Sequence, residues 1–150
     1  MPLTTGINHL ALLTRDLDAF ISFYVEIFDA AVIFDIDEDG VRHAAVDIGS
    51  GAALHAFAVP DNPHASASGG IFDRGHLDHL AINVADQATL DEARRRLVER
   101  GASDGVVTDF GLVKSICFHD PDGLEVEVAL WGTGPVRRFD ERITTTAPSG

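Results

Sequence analysis

Residues 118–131 read FHDPDGLEVEVALW, and residues 46–59 read VDIGSGAALHAFAV. Each passes from a strand-like segment through a tight Gly-containing turn into a second alternating segment, the pattern of a β-hairpin. Laid one on the other, Gly123 falls on Gly51 and Glu127 on His55, an offset of 72. Working outward to the start of each half, INHLAL (7–12) falls on LDHLAI (77–82), with His9 on His79 at an offset of 70. Two landmarks at opposite ends of a segment that keep nearly one offset define an internal repeat.

The intervening residues fill in each copy. In the first, a short apolar strand over 7–14 precedes RDLDAFISFYVEIFDA, where Leu17, Phe20, Ile21, Tyr24 and Phe28 recur at helical spacing behind an N-capping Asp16. AVIFDID, VRHAAVDI and AALHAFAV follow as three strands joined by the turns EDG and GSG. In the second copy, HLDHLAINV is a strand, and TLDEARRRLVERGA is a helix opened by a Thr89/Glu92 capping box and closed at Gly101. DGVVTDF, LVKSICFHD and GLEVEVALW supply three more strands, the last two joined by DPDG. The expected organisation is a βαβββ module over 5–59, a Pro/Ser/Gly/Asn-rich linker over 60–75, a second βαβββ module over 76–131, and a C-terminal extension over 132–150. The extension lacks apolar periodicity and is expected to be loosely held. The fold class is α+β.

Composition narrows the function. The chain has 150 residues, 45% of them hydrophobic and 23% charged, which suits a packed globular fold. A formal net charge of −13 repels nucleic-acid phosphates and anionic lipid surfaces, so neither nucleic acid nor membrane is an expected partner. The one basic cluster, Arg94 to Arg96 with Arg100, reads as a solvated helix face. A lone cysteine, Cys117, excludes an internal disulfide framework. Together with the lack of a signal-like or transmembrane run, it points to the cytoplasm.

Strand alternation gathers the chemistry. His9 shares a face with Ala11 and Leu13, while His79 shares one with Ala81 and Asn83. Leu124, Val126 and Val128 form the helix-facing set of the last strand, leaving Glu125 and Glu127 on the other face; His55 and Phe57 lie likewise on theirs. Four groups therefore converge: His9, His55, His79 and Glu127. Imidazoles with a carboxylate suit Fe(II), Zn, Ni, Mn or Co, and a two-histidine, one-carboxylate set leaves coordination positions open. Glu125 reads as a rim group, and Asp120 and Asp122 as turn formers. His64, Arg74, His76, Tyr24, Phe57 and Trp131 are candidate pocket-lining residues, although ordinary packing or exposure is the plainer reading of each. His43 and His119 fall on third strands without an assigned role.

HLAL, HLAI, and DPDG followed by Glu127 four residues beyond its glycine, within paired βαβββ modules, resemble the vicinal oxygen chelate superfamily. That superfamily includes glyoxalase I, methylmalonyl-CoA epimerase, fosfomycin-resistance enzymes, extradiol dioxygenases and bleomycin-binding proteins. The resemblance spans about residues 5 to 131. It implies an open, cup-shaped mixed sheet with the helices outside and metal ligands on the first and fourth strands of each module. By position the ligands would be His9, His79 and Glu127, with His55 at the remaining fourth-strand place. His55 departs from glyoxalase I, which commonly has glutamate there, and resembles the extra acid/base histidine of extradiol enzymes.

Three functions follow from the resemblance. The first is a divalent-metal enzyme acting on a small metabolite that presents two neighbouring oxygens, with glyoxalase-type isomerase or lyase chemistry and Glu127 or His55 moving the proton. The second is Fe(II)-dependent extradiol cleavage of a catechol-like ring with His55 as acid or base. The third is a metal-free protein that binds a drug or metabolite. The resemblance also implies a homodimer.

Overall fold

The computed structural model describes residues 2–65 and 77–146. The chain divides into two compact units, Met1–Ala67 with Pro121–Gly123, and Ser68–Asp120 with Leu124–Gly150.

The first unit contains β1 (His9–Leu13), α1 (Leu17–Phe28), β2 (Ala31–Glu38), β3 (Val41–Asp47) and β4 (Ala53–Ala58). Its sheet order is β1-β4-β3-β2. β1 and β4 run parallel, while β3 is antiparallel to both β4 and β2. The Asp16 carboxylate accepts the Ala19 N–H at 3.0 Å and opens α1 by satisfying a donor the helix cannot use. The buried stripe is Leu17, Phe20, Phe23, Tyr24 and Ile27. Phe23 and Ile27 thus join the stripe while Ile21 and Phe28 are half-buried at its edges, because the helix presents a broader face than one i, i+3, i+4 series marks. These aromatic rings pack toward a sheet whose inward positions are small, Ala44, Val46 and Ala56, with Leu54 among them. Large against small fills the layer at native density. The turn Pro121–Gly123 belongs to this unit through Asp122, whose Oδ1 accepts the Arg15 backbone N–H at 2.9 Å and its Nε–H at 3.3 Å.

The second unit contains β5 (Leu80–Asn83), α2 (Gln87–Glu99), β6 (Val107–Asp109), β7 (Val113–His119), β8 (Glu125–Trp131) and β9 (Ile143–Thr145). The sheet order is β5-β8-β7-β6-β9, with β5 and β8 parallel. α2 begins earlier than the capping box predicts: Asp86 is the N-cap and accepts both the N–H and the hydroxyl of Thr89 at 2.8 Å. Glu92 is drawn away to Arg95 and Arg96 at 2.7 and 2.8 Å, because two guanidinium partners outcompete one backbone amide. Arg95 also reaches Glu99 at 2.7 Å, so part of the basic cluster is neutralised on the helix itself. Leu90, Ala93 and Leu97 are buried, as are Ile116, Phe118, Val126 and Val128 on the sheet.

The C-terminal extension is better held than its composition suggests. Ile143–Thr145 adds β9 antiparallel to β6, and Arg94 donates to the Thr145 carbonyl at 3.1 Å and to the Gly105 carbonyl at 2.6 Å. Backbone pairing along an open sheet edge does not require an apolar pattern.

Both units are βαβββ modules, and their registers carry the repeat: Ala11 pairs with His55 across β1 and β4, and Ala81 with Glu127 across β5 and β8. Gly51 (φ 77°) and Gly123 (φ 83°) hold the equivalent turns in the left-handed region where a Cβ is disfavoured. Among the described residues no helix is long and apolar enough to cross a membrane.

Candidate functional site

His9 and His55 lie in the first unit. His9 opens β1 and is exposed, and its Nδ1 stands 2.8 Å from the Oδ1 of Asn8. An amide oxygen only accepts, so Nδ1 of His9 donates, and in the neutral ring the lone pair is then on Nε2. His55, half-buried at the middle of β4, lies edge-on to His9 with ring centroids 5.9 Å apart. Its Nε2 stands 2.9 Å from Nδ1 of His43 on β3, and Nε2 of His43 stands 3.5 Å from the Glu38 carboxylate. Phe57 stacks on His43 within 5° at 5.1 Å, and Phe34 meets both imidazoles edge-on at 5.5 and 5.2 Å. Burial first, then the neighbouring His43 and His9, hold the His55 pKa below the ordinary imidazole value.

His79 and Glu127 lie in the second unit. His79 stands one residue before β5, with Nδ1 2.8 Å from the Asp78 carboxylate. The acceptor again requires Nδ1 to donate, and in the neutral ring the lone pair is then on Nε2. Asn8 and Asp78 are equivalent in the repeat, so both modules present the same nitrogen of the same residue by the same device. Glu127 projects from the middle of β8, where its Oε1 accepts from the Cys117 thiol at 3.7 Å. Burial of the sulfur, then the carboxylates of Glu127 and Glu125, push that thiol up to about 12, so it stays protonated beside Glu127. Glu125 stands 3.9 Å from His119, and Asp120 accepts the Leu124 N–H at 2.9 Å in the turn.

The structure thus brings His9 and His55 together within one unit and places His79 and Glu127 in the other. Among the described residues, no group of three or more His, Cys, Asp or Glu side chains is drawn together as a metal site. The donor chemistry nevertheless fits a borderline divalent ion. Two imidazoles, one in each unit, are oriented through Nδ1 by a neighbouring oxygen, the outer-shell arrangement that fixes the tautomer of a metal-binding histidine.

The remaining candidates separate. Tyr24 is wholly buried in the core, Trp131 is 67% exposed, and only Phe57 borders the imidazoles. His64 is exposed in a short turn, and Arg74 and His76 lie outside the described residues. A cleft of about 450 Å³ in the first unit is lined by Thr14, Arg15 and residues between Ala58 and Ala65, and none of the four candidate residues borders it. His43 is the residue that the sequence left without a role. Strand alternation was the available signal, since His43 and Ala45 share a face and Ala45 pairs directly with His55.

The chain resembles several solved structures. One is a glyoxylase/bleomycin resistance protein/dioxygenase domain from Frankia sp. EAN1pec, at 25% identity and TM-score 0.72, covering 85% of this chain and 98% of that one. The FosX fosfomycin resistance protein of Listeria monocytogenes, solved with Mn(II) and sulfate, has 18% identity and TM-score 0.62, covering 93% and 98%. Lactoylglutathione lyase from Agrobacterium tumefaciens has 24% identity and TM-score 0.59, covering 86% and 96%. No protein of curated function matches the chain. Residues 6–128 match the family profile that the duplicated βαβββ register anticipates, and the chain belongs to the Glyoxalase/Bleomycin resistance protein/Dioxygenase superfamily.

Proposed function

We propose that this protein is a divalent-metal-dependent enzyme of the vicinal oxygen chelate type. Its substrate is a small metabolite presenting two neighbouring oxygens, and its chemistry is isomerase or lyase chemistry of the glyoxalase kind. The observation that carries this reading is the matched anchoring of His9 by Asn8 and of His79 by Asp78, each at 2.8 Å. Ordinary surface histidines have no need of a fixed tautomer at two repeat-equivalent places.

His9, His79 and Glu127 would hold the ion, with His55 at the fourth place. The ion, when bound, supplies Lewis-acid polarisation of the substrate oxygens. The proton is moved by this chain's own residues. Glu127 is an acceptor whose neighbour, the Cys117 thiol, remains neutral and does not repel its charge. His55 has a lowered pKa and is therefore an uncharged base at neutral pH. Phe34 and Phe57 limit water around it. The same aromatic lining favours a second reading, Fe(II)-dependent extradiol cleavage of a planar catechol-like ring with His55 as acid or base. The protein is further proposed to act in the cytoplasm as a homodimer, which a mass measurement in solution checks.

Elemental analysis of protein purified anaerobically without added metal, beside His79→Ala, tests the reading. Stoichiometric metal in the wild type and its loss in the variant support it. Iron together with oxygen uptake on a catechol would select the second chemistry. Metal-free protein that also refuses Mn(II), Zn(II), Ni(II), Co(II) and Fe(II) would sink both and leave a binding protein.

A further inference from the structure

We propose that His43 is a positioning residue that holds the proton of His55 on Nε2, so that His55 offers Nδ1 where His9 and His79 offer Nε2. The inference rests on the functional reading above for its purpose and, for neutral rings, on the geometry around His43 for its direction. The His43 Nδ1 and the His55 Nε2 are 2.9 Å apart, and one of them must donate. The other nitrogen of His43 faces the Glu38 carboxylate at 3.5 Å. Were the neutral His43 to donate from Nδ1, its Nε2 lone pair would be set against an anion. Placing the His43 proton on Nε2 removes that repulsion and leaves Nδ1 as the acceptor. His55 must then donate from Nε2, and its lone pair is on Nδ1.

The packing is suited to holding this direction. Phe57 lies parallel to His43 and within 4.1 Å of the His55 ring centre, while Phe34 closes the edge of both rings. Each ring is confined by flat apolar neighbours, which restrict rotation without competing for the hydrogen bond. His9 and His79 are set by an adjacent residue in sequence, whereas His55 is set across a strand. The consequence is a donor set in which the first-strand imidazoles and the fourth-strand imidazole bind through different nitrogens.

The test uses metal-free, ¹⁵N-labelled full-length protein, with spectra recorded at about pH 8. Long-range ¹H–¹⁵N spectra should show His55 protonated on Nε2 and bare on Nδ1, with a scalar coupling across the N–H···N bond to His43 Nδ1. His43→Gln, whose amide oxygen still accepts, should keep the His55 Nε2–H protected from exchange. His43→Phe, which keeps the ring and the stack but accepts nothing, should lose that protection and the coupling. Added Zn(II) should shift Nδ1 of His55 in the wild type, and its affinity should fall by about 10- to 100-fold in His43→Phe and by less in His43→Gln. A His55 proton on Nδ1, or unchanged protection and Zn(II) affinity in His43→Phe, would overturn the inference. If instead the tautomer is as stated and Zn(II) fails to bind any form, the positioning stands and the metal-enzyme reading falls.

Discussion

Ala11 pairs with His55 in the first module and Ala81 with Glu127 in the second, so one register position carries an imidazole in one copy and a carboxylate in the other. Their neighbours differ in the same sense. Across β3 and β4 His55 sits diagonally from His43, which ties up its Nε2. Across β7 and β8 Glu127 faces Cys117, and the position equivalent to His43 is the buried Ser115. The first module therefore has a ring positioned by another ring, and the second has a charged oxygen beside a neutral thiol. On the proposed function, the two copies of one register position would divide the chemistry, one supplying a nitrogen donor and the other the anion.

Removing each group in turn should break that division unevenly. Glu127→Ala removes the only anion of the set and should abolish both metal retention and turnover. His55→Ala should lower metal affinity by about 10- to 100-fold while leaving stoichiometric uptake at saturating ion. Elemental analysis beside a Zn(II) titration separates the two, and equal losses would contradict the asymmetry.

The cores differ as well. Aromatic α1 lies over small sheet residues in the first unit, whereas leucine-rich α2 lies in a unit whose sheet contributes Ile116 and Phe118. Phe20→Ala should cost about 3–5 kcal/mol and Leu97→Ala about 2–5 kcal/mol. Urea unfolding followed by tryptophan fluorescence, with Trp131 as the reporter in the second unit, and by circular dichroism reads each loss.

A smaller contrast concerns Cys117. With its thiol pushed up to about 12, alkylation at about pH 8 should be slow although the residue is exposed, and Glu127→Gln should quicken it by removing a charge that disfavours the thiolate. Iodoacetamide kinetics measure this, and a rate equal to that of a free thiol would contradict the stated environment.

The smallest expected effect is on α2. Glu92, held at about 2 by Arg95 and then Arg96, adds stability that is present above its ordinary value of 4.5 and is lost as pH falls through about 2. Glu92→Gln should therefore flatten the acid limb of the unfolding curve, a difference visible in urea midpoints compared at about pH 5 and about pH 2.5.

The repeat was legible because alternation and turn glycines are local properties, and the offsets of His9 and Glu127 needed nothing else. The same alternation marked the half-buried face of β4 correctly. Three features were not legible for reasons of competition. The sequence marked a capping box at Thr89 and Glu92, but Asp86 is the N-cap and Glu92 is held by Arg95 and Arg96 instead. β9 has three exposed residues and no pattern, and it exists because β6 offers an open edge. His43 meets His55 across β3 and β4, and alternation placed it on the shared face without naming that cross-strand partner.

The turn Pro121–Gly123 carries a consequence for how the gene could be cut. Its aspartate accepts two donors of Arg15, 107 residues away, and it is counted with the first half of the chain although it is encoded in the second. A fragment ending at Ala67 would therefore lack the carboxylate that accepts from the Arg15 backbone and side chain. The two βαβββ segments therefore do not separate cleanly along the sequence, because residues 121–123 belong to the first unit while lying within the second segment.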